Sequence, residues 1–174
     1  MSHDRKSSSP FRKISWSLRK FKSMKELSAA KQWDGFLARF NPEIVTLVKG
    51  ALARMRKRVP GAVELVYDNF NALVIGFGPT ERASHAVFSV AIYPRWANLF
   101  FLQGARLKDP NGLLKGSGGV VRHIRLSDPK LIDDPGVSDL IERAMVQAPR
   151  SMDPKATRRM VIKSISAKQR ARRP

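Results

Sequence analysis

Residues 85–102 read HAVFSVAIYPRWANLFFL, and this stretch decides the fold. Val87, Ser89 and Ala91 alternate with Phe88, Val90 and Ile92, the period of a strand with one face buried. Tyr93-Pro94-Arg95-Trp96 is turn chemistry, and ANLFFL resumes a strand at once. Two strands joined by so short a connection are antiparallel, because a parallel pair needs a crossover of a dozen or more residues.

Upstream, VELVY (63–67) alternates and NALVIGF (71–77) is an apolar run of strand length, so two more strands precede the hairpin. Downstream, residues 113–126 read LLKGSGGVVRHIRL. A phosphate-cradling loop has a helix after its glycines, whose N-terminus supplies free N–H groups. Here Gly116-Ser117-Gly118-Gly119 leads into VVRHIRL, a β pattern, and neither G-x-x-x-x-G-K-[ST] nor G-x-G-x-x-G spacing is present. The glycines are expected to form a connection, with Lys115 and Arg122 as a residual weak anion site, and VVRHIRL a fifth strand.

Helical patterns flank the strands. Trp33, Phe36, Leu37 and Phe40 fall at i, i+3, i+4 and i+7. Asn41-Pro42 reads as a helix start with Asn41 as cap, and Ile44, Leu47, Val48, Ala51, Leu52 and Met55 form the next buried stripe, ending before Val59-Pro60-Gly61. Arg54, Arg56, Lys57 and Arg58 suit the negative end of that helix dipole. After Asp134-Pro135, a stripe of Val137, Leu140, Ile141, Ala144 and Met145 marks a last helix. The order α-α-β-β-β-β-β-α predicts an α+β two-layer sandwich: a mainly antiparallel five-stranded sheet with helices on one face.

The chain has 174 residues and a formal charge of +19, unevenly placed. Residues 1–31 hold nine Lys/Arg and two acids, and 155–174 hold eight Lys/Arg and no acid, while 32–154 hold sixteen against twelve. The expected organisation is a basic arm at 1–27, disordered or amphipathic, an α+β domain at 28–150 and a basic tail at 151–174. In the arm, Phe11, Ile14, Leu18 and Phe21 share a helical face flanked by Arg12, Lys13, Arg19 and Lys20. A free cationic arm, a helix on an anionic surface, a targeting peptide and a segment docked on its own domain all fit.

Catalytic signals are sparse. Without cysteine there is no thiolate nucleophile or thiolate metal ligand. His3, His85 and His123 lack partners at metal-ligand spacing, Asp133-Asp134 reads as helix-start chemistry, and no G-x-S-x-G elbow occurs. Trp33, Trp96, Phe100 and Phe101 read as core and sheet residues rather than stacking platforms. No apolar run reaches membrane-spanning length. The expectation is a cytoplasmic, non-catalytic module with no cofactor and no metal site.

Three stretches, ELVYDNFNALVIGFGPTER, YPRWANLFFLQGARLKDPNGLLKGSGGVVRHIRL and KSISAKQRARRP, resemble the YdhG-like family of small domains. The resemblance covers roughly residues 30–147, with a tail similar to that of a subgroup. It implies a small cytosolic bacterial protein with a frataxin-like αβ sandwich, and it implies no reaction. Iron handling by frataxin-like domains rests on an acidic face. Here the long helix carries Lys49, Arg54, Arg56, Lys57 and Arg58, against the oxygen ligands that hard cations take, although Glu64 and Asp68 remain.

The favoured function is therefore attraction of an anionic partner, above all sequence-independent nucleic acid, through Arg12, Lys13, Arg19 and Lys20 in the arm and Arg158, Arg159, Lys168, Arg170, Arg172 and Arg173 in the tail. The alternative is a small-molecule or protein-binding surface using Tyr67, Phe70, Lys115, Arg122 and Arg125.

Overall fold

The structure, a computed structural model, describes residues 28–174. Three helices pack on a six-stranded sheet: α1 (Ala29–Leu37), α2 (Pro42–Arg58), β1 (Val63–Asp68), β2 (Leu73–Gly78), β3 (Phe88–Ile92), β4 (Ala97–Phe101), β5 (Arg122–Leu126), α3 (Pro135–Gln147) and β6 (Arg159–Ile165). The strands lie in the order β5-β4-β3-β2-β1-β6. Four neighbouring pairs are antiparallel, and β6 runs parallel to β1.

The α+β class stands, but the sheet differs from the expected five antiparallel strands. The sixth strand comes from the segment read as a basic tail. RMVIKSI carries two cations in seven residues and weak alternation, so its composition hides its conformation. Long-range pairing with β1 makes it a strand, with a bulge where Val66 faces Ile162 and Tyr67 faces Ser164.

Helix starts follow local chemistry in part. Ser28 Oγ accepts from Lys31 N at 3.3 Å and opens α1. Asn41 occupies the cap of α2 as expected, but its side chain makes no capping bond, and Pro42 at the first position carries the start. Asp134 Oδ1 accepts from Gly136 N at 2.9 Å and Val137 N at 3.3 Å, so the second acid of Asp133-Asp134 is a cap.

Register sorts the sheet into two faces. Val66, Ile75, Val90, Leu99 and Ile124 lie in one cross-strand row and join the core. The rows of Phe77, Phe88 and Phe101, and of Leu73, Ile92, Ala97 and Leu126, flank it. The buried sides of all three helices complete this cluster: Trp33, Phe36 and Leu37; Val48, Leu52 and Met55; Val137, Leu140 and Ile141. Phe88 and Phe101 meet edge to face, centroids 5.6 Å apart. The other face carries Leu65, Tyr67, Gly76, Ser89, Ala91, Asn98, Phe100, His123 and Arg125, and none of these belongs to the helix-packed core.

Candidate polyanion-binding surface

Strand β1 places Glu64, Val66 and Asp68 on the helix side, because side chains alternate. Two carboxylates are thus set into the core layer, roughly 13 Å apart at about 3.3 Å per residue. Both are buried, Glu64 at 1% and Asp68 at 0% exposure. A buried carboxylate needs a cation and hydrogen bonds. Each receives one arginine from the helical layer and one from the C-terminal segment. Arg56 on α2 grips Glu64 with two parallel bonds of 2.8 and 2.9 Å, and Arg158 stands 3.6 Å away. Arg39, just past α1, donates to Asp68 Oδ2, and Arg172 donates to Asp68 Oδ1 at 2.9 Å. Arg39 also bonds Gln169 Oε1 at 3.0 Å, drawing a second C-terminal residue into the cluster.

A cleft opens on each side of α1 over these carboxylates. One, about 500 Å³, is lined by Trp33, Asp34, Lys49, Arg56, Arg158 and Arg159 among others, with Glu64 at its wall. The second, about 280 Å³, has Lys31, Phe36, Arg39, Asp68, Ile165 and Gln169 around it. Cations outnumber acids in both linings.

The tail arginines are largely occupied. Arg159 pairs with Glu81 at 2.6 Å, and Arg173 donates to the carbonyls of Phe40 and Ala38 at 3.3 and 3.1 Å. Arg172, 4% exposed, also donates to Asn69 O and lies 5.6 Å over the Phe40 ring. It is a core residue, not a free cation. Lys168 and Arg170 are exposed, with the Arg170 backbone tied to Phe70 O at 2.9 Å. Arg12, Lys13, Arg19 and Lys20 lie outside the described residues.

The glycine loop is a turn closed by its own cations. Lys115 and His123 exchange backbone hydrogen bonds of 2.8 and 2.9 Å across it. Lys115 Nζ donates to Gly112 O at 2.9 Å, and Arg122 Nη1 donates to Gly118 O and, at 2.9 Å, to Val121 O. Both charges held in reserve for an anion are thus turned onto loop carbonyls, and strand β5 follows where a phosphate loop has a helix. Asp109 closes the preceding turn, accepting from Leu113 N at 3.0 Å and Leu114 N at 2.7 Å.

The small-ligand candidates do not form one site. Phe70 sits half-exposed in the β1–β2 turn. Lys115 and Arg122 belong to the loop just described. Tyr67 and Arg125 stand at opposite ends of one row on the face away from the helices, which runs Tyr67, Val74, Ala91, Asn98, Arg125. Tyr67 Oη and Asn98 Oδ1 are shielded from solvent and lack hydrogen-bond partners. Burial pushes the Tyr67 phenol above its ordinary value.

The sequence reading names Asp68 only as an acid left over for a hard cation, and it does not single out Arg39 or Gln169. One signal was present: in VELVYD the acids share the register of Val66, so a strand burying Val66 buries Glu64 and Asp68 too. Among the described residues no helix is long and apolar enough to cross a membrane. No family model matches the chain, and neither a curated protein nor a solved structure does.

Proposed function

We propose that this chain is a non-catalytic binding module for an anionic partner, with sequence-independent nucleic acid the favoured class. The carrying observation is how the acids are used. Residues 28–174 hold 25 Lys/Arg and 12 Asp/Glu. Nine of those acids are engaged inside the protein: Glu64, Asp68, Glu81, Asp133 and Asp139 in ion pairs, and Asp109, Asp128, Asp134 and Asp153 on backbone N–H groups. Seven of these acids hold turns, helix starts or the C-terminal segment, and over residues 28–174 the cations outnumber all the acids by 13. Fields of this kind attract polyanions without reading sequence.

A YdhG-like relationship and cytoplasmic residence belong to the same proposal, supported by the quoted sequence stretches and by helices on one face of a largely antiparallel sheet. Iron delivery is disfavoured, because Glu64 and Asp68 each already face two guanidinium groups.

The test is equilibrium binding of the full chain to a single-stranded 15-mer and a 15-base-pair duplex across salt. Affinity is expected to fall on a log–log plot with a slope of about −0.7 to −0.9 per phosphate engaged. Because β6 lies within the basic tail, the tail's share is measured by Lys163→Gln, Lys168→Gln and Arg170→Gln rather than by deletion; all three residues are exposed. The arm's share is measured by starting the chain at Ser28. Salt-independent binding, or none at low salt, overturns the proposal.

A further inference from the structure

We propose that the sheet face turned away from the helices binds single-stranded nucleic acid by stacking bases on its aromatic side chains. This rests on the polyanion reading above and names the surface and the strandedness of the partner.

Several observations converge on that face. Trp96 and Tyr93 stack at the β3–β4 hairpin, centroids 5.1 Å apart and planes at 25°. The Arg125 guanidinium lies 5.3 Å from the Trp96 ring centre. One row further along β4 and β5, Phe100 and His123 pair at 5.3 Å. All five side chains are half-buried or exposed, on a face that none of the described helices covers. Beside them Gly76, Ser89 and Ala91 give β2 and β3 a low floor. A Cβ added at Gly76 would meet its sheet neighbours at 3.7 Å, ordinary contact distance.

A flat antiparallel face with aromatic rings and arginine planes suits bases, since every base offers a π-face and stacking needs no sequence. Duplex bases are already stacked on one another and cannot use such rings. The Tyr67 hydroxyl and the Asn98 side-chain carbonyl supply the second, independent mark. Both sit in the row that ends at Arg125, and both are buried with no partner. Buried polar atoms are normally satisfied, so a base edge or sugar that displaces the groups covering these two gains a hydrogen bond at each. Charge complementarity comes from Arg125, exposed at that end of the row, and from the chain's net charge of +19.

The experiment measures binding of fluorescein-labelled dT15 and U15 and of a 15-base-pair duplex to the full chain and to Trp96→Ala, Phe100→Ala and Arg125→Gln, each first shown folded by its thermal melt. The wild-type chain is expected to bind the single strands more tightly than the duplex. Each aromatic variant is expected to lose roughly five- to a hundredfold for single strands and little for duplex. Arg125→Gln, an exposed change that keeps the fold, lowers the single-strand salt slope by about 0.7. If an aromatic variant fails to fold, Arg125→Gln and protection of the Trp96 ring from oxidation by bound dT15 still decide the matter. Salt-dependent binding that these variants leave unchanged, or that is equal for duplex and single strand, overturns the sheet-face site and leaves the polyanion reading standing. Absence of salt-dependent binding to every oligonucleotide overturns both.

Discussion

Asp68 and Arg172 stand 104 positions apart in the chain and meet at 2.9 Å, both buried. Between them they tie the segment that follows β6 to β1, the first strand in the chain. Arg39 completes the cluster from the end of α1, so three separate segments share one carboxylate.

Removing the carboxylate is expected to be costly. Asp68→Ala leaves Arg172 buried without its charge partner, and breaking a buried pair on one side costs about 3–5 kcal/mol. Arg172→Met is expected to cost less, because Arg39 remains on Asp68 and can hold its charge. Urea unfolding at neutral pH, read as the shift in midpoint at constant slope, checks the order of the two variants. Equal, near-zero shifts would show the cluster to be ornamental.

Truncation at the C-terminus tests whether residues 151–174 form part of the domain. Without them β1 becomes an edge strand, Met160 and Ile162 no longer pack against the core, and Glu64 and Asp68 each lose one arginine. A chain ending at residue 150 is expected to lose its single cooperative melting transition and to aggregate through the bared strand. An unchanged melting temperature would mean that β6 contributes nothing to stability.

Two glycines give opposite expectations. Gly61 has φ +72°, and a Cβ there would lie 1.9 Å from the carbonyl oxygen of Asp153, so Gly61→Ala strains the backbone where the C-terminal segment crosses it. A loss above about 1 kcal/mol is expected. Gly118, in the glycine loop, has open space around it, and Gly118→Ala is expected to stay within about 0.5 kcal/mol of the parent. It is also expected to leave phosphate affinity unchanged, which isothermal titration with inorganic phosphate checks. A large loss of phosphate binding would restore the cradle interpretation of that loop.

Tyr67 predicts an alkaline signature. Its phenol is raised by burial, so the fold favours the neutral form. That contribution is present in full below the unfolded-state value of about 10 and is lost as pH rises through the higher folded-state value. Tyr67→Phe is expected to flatten the fall in stability over this range. At neutral pH it is expected to gain about 1 kcal/mol, since a shielded hydroxyl without a partner is removed. Chemical unfolding at pH 7 and in the alkaline range measures both effects. A destabilised variant at pH 7 would show that Oη has a partner in solution.

Local sequence patterns were enough to read the helices, the five strands β1 to β5 joined in antiparallel order and the role of the glycine loop as a connection. These depend on periodicity and turn chemistry, which are local. Asn41-Pro42, the 85–102 hairpin and the stripe from Ile44 to Met55 needed no distant partner to be recognised. The fate of the tail, the roles of Glu64 and Asp68, and the identity of the sheet face turned from the helices came from long-range contacts. RMVIKSI becomes a strand because β1 presents an unpaired edge, and its arginines stop being surplus charge because buried carboxylates receive them. Trp96 and Phe100, which read as core, lie on the face the helices leave open, since alternation fixes which residues share a face but not which face a helix will cover. Periodicity is written in neighbouring residues, whereas the partner of a charge or of a sheet edge is set by chain closure over a hundred positions.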